Sequence, residues 1–273
     1  MPELRVFNVE HGACALLSDG MGNHAMIDCG HNSSTNWYPG SYCRLAGITD
    51  LAALFVTNYD EDHVSGIENL FRNTNVATLF RNMQVSPAAI EKLKTADGMG
   101  NGIRFLVQTA KNWMNNGLRS SNDIGLNDCH FTAFANSPVE FDDENNLSMA
   151  VSVRAAGVNF LFTGDLEQAG WRALLRSQNF RETLAGIDVF FASHHGRESG
   201  CCEEVFNYCK PRFIVISDKA KGYQTQETSS WYFQRAQGGI VNWESNQRRV
   251  LTTRRDGSLK FIMNQGTYDV SRI

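Results

Sequence analysis

The sequence predicts a mixed α/β protein with two β-sheets and its helices on the outside. Three observations carry this. The chain opens with apolar, alternating segments parted by Gly, Asn and Asp turns; its middle alternates strand-like with helix-like segments; its end returns to strands. Apolar residues make up 42% of the 273 positions, enough for a sizeable core. No linker or shift in composition divides the chain, so a single domain over 1–273 is expected.

LRVFNV, ACALLSDG and NHAMIDCG are the opening strands, with SDGMGNH as a hairpin turn. Residues 31–47 are polar and glycine-bearing, which predicts a loop ending in a short helix. LAALFVTN reads as a buried strand, and VSGIENLFRNT places Val64, Ile67, Leu70 and Phe71 at helical spacing. VATLFRN is a strand; SPAAIEKLKTAD starts a helix with a Ser cap and Pro in the first turn. IRFLVQTAKNWMNNG reads as helix, SSNDIGLND as loop, CHFTAFAN as strand. MAVSVRAAGVNFLFTGD is a hairpin about an AAG turn, QAGWRALLRSQ a helix, and IDVFFASHHG a strand running into a loop. SGCCEEVFNYC predicts a helix, RFIVISD a strand and SSWYFQRAQ a helix; GIVNWES, RRVLTTRRDG and LKFIMN are closing strands.

Composition narrows the setting. No run nears the ~18 apolar residues that span a bilayer, and MPELRVFNVEHG lacks a charged-then-apolar signal pattern. No membrane segment and a cytoplasmic location are expected. The seven cysteines are odd in number and lack C-x-x-C spacing. They suit reduced thiols used as small apolar residues, the adjacent Cys201 and Cys202 included. A net charge of −4 argues against a general nucleic-acid coat protein. Its distribution is uneven: residues 210–260 hold ten Lys/Arg against four acids, which leaves −10 on the remainder. Either the surface is merely uneven, or an acidic body carries a phosphate-binding rim.

Three strand ends hold the polar chemistry. Strands ending at Val56, Phe162 and Ala192 run into TNYDEDH, TGD and SHHG. A buried strand fixes its backbone, so side chains just past its end can converge on a ligand. Each motif alone has a plain reading: a helix cap at Asp60, Asp62 or Asp165, or histidines in a turn. Together they favour a metal site. Asp60, Asp62, His63, Asp165 and one of His194 and His195 offer carboxylates and imidazoles without a thiolate, a set for Zn²⁺, Mn²⁺ or Fe. Five ligands exceed one closed tetrahedral site and suit two ions ~3.5–4 Å apart.

These motifs resemble those of metallo-β-lactamase-fold hydrolases. Asn58-Tyr-Asp60-Glu-Asp62-His63-Val-Ser-Gly66 is similar to H-x-H-x-D-H-x-x-G, and closer to the H-x-D-x-D-H-x-G-G of the branch typified by the soluble domain of ComEC, a DNA-uptake competence protein. VEHGACALL, MIDCG, ENNLSMAVSV, FLFTGDLE, ASHHG and KPRFIVIS resemble further marks of that branch, in order. The likeness runs from about residue 5 to 261 and is weakest over 82–130.

The resemblance implies a four-layer αββα sandwich with a dinuclear site at one edge. Asp62 and His63 would bind one ion, with His194 as third ligand; Asp60 would bind the other and Asp165 would bridge. Asn146 and Ser148 would stand where other branches carry a histidine, and Asp28 would orient the ligand loop. Asn58 departs from the pattern by replacing the first histidine. That makes the first site oxygen-rich, Asn58, Asp60, Asp165 and Asn146, and opens it to Mn²⁺ or Mg²⁺. Tyr223-Gln224-Thr225-Gln226 stands where the branch often has Y-G-H-P.

The expected reaction is hydrolysis of a phosphodiester in DNA or a nucleotide. Asp62 and His195 are the catalytic candidates, His195 to protonate the leaving oxygen or hold a phosphate oxygen. Lys219, Lys221 and Tyr223 would lie beside the substrate. Trp231, Tyr232 and Trp243 read as core or interface rather than base-stacking residues. Two alternatives remain: a degenerate, non-catalytic module acting through a protein partner, and a thioester or lactone hydrolase.

Overall fold

The computed structural model describes residues 1–95, 98–114, 124–219 and 227–273. Two sheets pack face to face. The first has seven strands, in the order Thr267–Arg272, Leu259–Asn264, Glu3–Val6, Cys14–Ser18, His24–Cys29, Ala53–Phe55 and Leu79–Phe80. The second has six: Val250–Thr252, Phe213–Ile216, Val189–Phe191, Val158–Phe162, Met149–Ala155 and Cys129–Ala135.

The central strands are buried on both faces, which is why they read as apolar runs. Side chains alternate along each strand. Phe160 and Phe162 face the opposing sheet with Leu4, Val6, Ile27 and Phe55. Leu161 points the other way, among Trp171, Phe180 and Leu184 of the outer helices Gln168–Leu174 and Gln178–Ala185. On the other side Met26 and Leu54 pack against Ile67, Leu70, Ile90 and Leu106 of the helices Ile67–Asn73, Pro87–Leu93 and Asn101–Met114. The result is the expected αββα layering.

His24–Cys29 runs parallel to Ala53–Phe55, and Val158–Phe162, Val189–Phe191 and Phe213–Ile216 run parallel to one another. Parallel strands deliver their carboxyl ends to one edge, where open α/β sheets bind ligands. Asp28 and the segments 57–63, 163–165, 193–195 and 217–219 all follow from these ends.

Several elements depart from the sequence reading. SGCCEEVFNYC forms the 3₁₀ turns Glu198–Gly200 and Glu203–Asn207 instead of one helix. Its buried residues Cys202, Val205 and Cys209 have a spacing that tight turns satisfy as well as a helix does. RRVLTTRRDG is a strand only to Thr252; the hydroxyl of Thr252 then accepts from the Arg255 amide and starts the one-turn helix Thr253–Asp256. The helix Gln178–Ala185 and the edge strand Thr267–Arg272 have too few apolar residues to announce themselves. All seven cysteines are free, and only Cys201 is not fully buried. Among the described residues no helix is long and apolar enough to cross a membrane.

Phe160 lies between the sheets with no exposed surface. Phe160→Ala should lower unfolding free energy by about 3–5 kcal/mol, the cost of a cavity where neighbours relax only in part. Urea unfolding of the two proteins measures this.

Candidate metal centre

The ligand loop is held by close backbone packing. Gly12, at φ 137°, and Gly30 both press against the Asp62 carbonyl, where any Cβ would collide with its oxygen. Ala13 N–H donates to that oxygen and Gly30 N–H to the Ala13 carbonyl. The loop between the first two strands is thereby fastened to the one-turn helix Glu61–Val64, which carries Asp62 and His63.

Asp165 is the hub. Its Oδ1 lies 3.1 Å from His63 Nε2 and 3.5 Å from His195 Nε2, while Oδ2 accepts from Asn58 Nδ2 at 2.9 Å. Its amide donates to Ser148 Oγ at 3.0 Å. Asp28 orients His63: one oxygen takes the Thr57 amide at 2.7 Å, and the other lies 2.9 Å from His63 Nδ1. His195 Nδ1–H donates to the Ser217 carbonyl at 2.9 Å. In the neutral ring the lone pair of His195 therefore sits on Nε2, which is buried without a close hydrogen-bond partner and lies 3.3 Å from Asp62 Oδ2. His11 approaches from the cleft side, its Nε2 3.7 Å from the same oxygen and its ring 4.3 Å from that of His195.

Charge and strain accompany this geometry. Burial alone would pull the His63 and His195 pKa values down. The carboxylates of Asp165 and Asp28 hold the first well above its ordinary value, and those of Asp165 and Asp62 raise the second. Burial opposes ionisation of Asp62 and Asp165 too, yet the imidazoles hold both below the usual carboxylate range. His11 is pushed down to about 4 by burial and then by His195. Asp28, His194 and His195 adopt left-handed backbone at φ 54°, 50° and 52°. Such residues cost about 1–3 kcal/mol each and cluster at functional sites.

The deep cluster fits a divalent ion. His63, Asp165 and His195 can each offer one ligand atom to a common point, and so can His11, Asp62 and His195. Ligand atoms around tetrahedral zinc lie about 3.3 Å apart, as bonds near 2.0–2.1 Å require. The separations of 3.1, 3.3 and 3.5 Å bracket that edge. An otherwise orphaned, lone-pair-bearing Nε2 at the middle is the donor a metal ion would satisfy.

The geometry changes several assignments. The resemblance implies His194 as ligand, but His195 is the one brought into the cluster. The His194 ring is engaged by Ser199 Oγ at 3.0 Å, Glu167 Oε1 at 3.4 Å and Arg197 Nη1 at 3.3 Å. Asn146 is not turned to the centre either. Its Oδ1 accepts from the Gly170 amide at 2.8 Å and its Nδ2 donates to Asp143, which makes it a fastening for the helix start at Gln168. Asn58 presents its amino group, not its oxygen, to Asp60 and Asp165. Asp60 is bound by Lys94 Nζ, which also donates to Glu144 at 2.7 Å. Burial lowers the Lys94 pKa less than these two carboxylates raise it.

A cleft of about 460 Å³ opens above the cluster, lined among others by His11, Asp60, Asp62, Asp165, Arg197 and Lys219. Among the described residues of the basic 210–260 segment, Lys219 is on this lining. Arg248, Arg249, Arg254 and Arg255 line a separate groove of about 740 Å³. Lys221 and Tyr223 lie outside the described residues. Tyr232 is buried and Trp231 and Trp243 pack against the core, as expected. Sequence reasoning missed His11, Arg197, Lys94 and Glu144. His11 carried a signal, since HG follows the first strand as HHG follows another.

The layering and the edge site are those of the metallo-β-lactamase fold. No family model matches the chain. It is similar to the metallo-β-lactamase fold protein YhfI of Bacillus subtilis, with TM-score 0.50 and 11% identity over 95% of this chain and 100% of that one. It is 23% identical over 228 residues, 82% of its length, to ComE operon protein 3 of Bacillus subtilis (strain 168). The chain spans about a quarter, 26%, of that relative's length.

In the metal-free chain the raised histidines and lowered carboxylates set opposite pH limbs. The His63 and His195 contribution is full below the unfolded value near ~6.5. It is lost as pH rises through their higher folded values. That of Asp62 and Asp165 is present above ~3.9 and lost as pH falls below it. With chelator present, the Tm should therefore fall between pH 6 and 9, and excess Zn²⁺ should flatten that fall. A chelated protein whose Tm holds constant over this range contradicts the assignment.

Proposed function

We propose that the chain is a metal-dependent hydrolase that cleaves a phosphodiester bond in nucleic acid or a nucleotide. The observation that carries the reading is the orphaned Nε2 of His195, set among Asp62, His63 and Asp165 on the floor of a cleft rimmed by Arg197 and Lys219. His63, His195 and Asp165 would hold one divalent ion, Zn²⁺ or Mn²⁺ by the nitrogen and oxygen donor set, with Asp62 beside His195 on the cleft side. Such an ion supplies an activated water and a positive charge against phosphoryl oxygens.

The chain's own residues do the rest. Asp28 and the Ser217 carbonyl fix the tautomers of His63 and His195, so both Nε2 atoms stay unprotonated when ligated. That role removes His195 from proton donation to the leaving oxygen. Arg197 and Lys219 face the cleft, where a phosphodiester brings negative charge and a thioester or lactone does not. This favours the phosphodiester. His11 adds a neutral imidazole on the cleft side of Asp62.

Paired variants test both parts. His195→Ala should lose the bound ion and roughly 10³-fold or more of Mn²⁺- or Zn²⁺-supported hydrolysis, as loss of the metal's contribution implies. His194→Ala should keep its ion and stay within about tenfold, since its ring nitrogens are engaged by Ser199, Glu167 and Arg197 and not by the grouped ligand atoms. Single-stranded DNA, bis(p-nitrophenyl) phosphate, a thioester and a lactone are assayed together. Turnover confined to the last two would overturn the substrate class.

A further inference from the structure

The arm of the site beside Asp165 holds three carboxylates, Asp60, Glu144 and Asp165, and by composition alone would be an oxygen-rich cation site. Two donors already stand among those acceptors. Lys94 Nζ donates to Asp60 Oδ1 and, at 2.7 Å, to Glu144 Oε1. Asn58 Nδ2 donates to Asp165 Oδ2 at 2.9 Å and to Asp60 Oδ2 at 3.3 Å.

Neither donor is free to turn away. Asn58 Oδ1 accepts the Tyr59 amide at 2.6 Å, and flipping the side chain would set its amino group against that N–H. Its hydrogens are thereby fixed toward the gap between Asp60 and Asp165, where an ion would need lone pairs. Lys94 is 5% exposed, and its backbone N–H closes the last turn of the helix Pro87–Leu93 onto the Ile90 carbonyl. Pro87 and Ile90 of that helix are buried, so its end is anchored.

We infer that the Lys94 ammonium, clamped between Asp60 and Glu144, is a built-in cation that with the Asn58 amide restricts this chain to a single divalent ion, bound at His195 Nε2, the atom that the His63–Asp165 and His11–Asp62 groups share. The inference rests on the metal reading of that cluster. It makes Lys94 a positioning residue: it neutralises Asp60, which with Asn58 keeps Asp165 turned toward the histidines.

Metal stoichiometry decides it without an activity assay. Co²⁺ and Mn²⁺ are titrated into the full chain by calorimetry, with the Co²⁺ absorption spectrum and Mn²⁺ paramagnetic resonance recorded alongside. Wild type should take one equivalent and Lys94→Arg one. Lys94→Met and Lys94→Gln should take a second. The second ion should bind on the order of a hundredfold more tightly than to wild type, since a like charge ~4 Å away has gone. Asn58→His combined with Lys94→Met should tighten that second ion further. Two equivalents in wild type, or one in both neutral variants with wild-type circular dichroism, overturn the inference. If neither neutral variant folds, wild type alone decides, one ion supporting and two overturning. A wild type that binds none refutes the deep-cluster reading separately. Gain of an ion by Lys94→Met still supports the role of Lys94 in that case, and no gain overturns it.

Discussion

Everything at this edge follows from burying the Asp165 carboxylate, 2% exposed, where two sheets meet. An ionised group there must be paired and fully hydrogen-bonded, because losing one partner of a buried pair costs about 3–5 kcal/mol. Its partners come from three separate segments at strand ends: His63 and Asn58, His195, and the Ser148 hydroxyl through the backbone. Each is held in turn, His63 by Asp28 and His195 by Ser217. The register of the parallel strands is thus tied to one charge. Left-handed backbone at His194 and His195 is tolerable because these bonds over-determine it.

The surroundings of Asp165 are asymmetric. On one side stand imidazoles that can be neutral ligands or charged partners, depending on whether an ion is present. On the other stand an ammonium and an amide, whose donors cannot become ligands in place. A carboxylate facing both is pinned on its Oδ2 side and open on its Oδ1 side. The donor chemistry, more than the number of acidic residues, therefore sets where a cation can enter.

The layers were legible because strands buried on both faces must be apolar throughout, and because Ser86 and Pro87 mark a helix start without ambiguity. The edge site was legible because polar clusters directly after such strands have few other uses. The choice between His194 and His195 was not. A pair of left-handed residues reverses the direction that strand alternation would assign, and nothing in SHHG announces that turn. Asn146 looked like a ligand because an asparagine that receives a helix's backbone amides is identical in sequence to one that faces an ion. Lys94 lies 34 positions from Asp60, and no spacing rule links the end of one helix to a distant strand-end loop.

The charge count of the C-terminal fifth shows the same limit in electrostatic form. Arg248 pairs with Asp256 at 3.0 Å, Arg272 joins the same carboxylate at 2.9 Å, and Arg254 meets Asp218 at 2.9 Å. Arg249 lies over the Phe233 ring. Much of the apparent basic rim is therefore spent inside the fold, tying the closing strands and the helix Thr253–Asp256 together. A net charge of a segment measures field only to the extent that its charges lack partners. The electrostatic case for a phosphate ligand accordingly rests on Arg197 and Lys219, which line the cleft, rather than on the summed charge of the segment. Among the described residues Glu10, Asp60 and Glu61 share that lining with the two cations, so the charge over the cleft is mixed in sign.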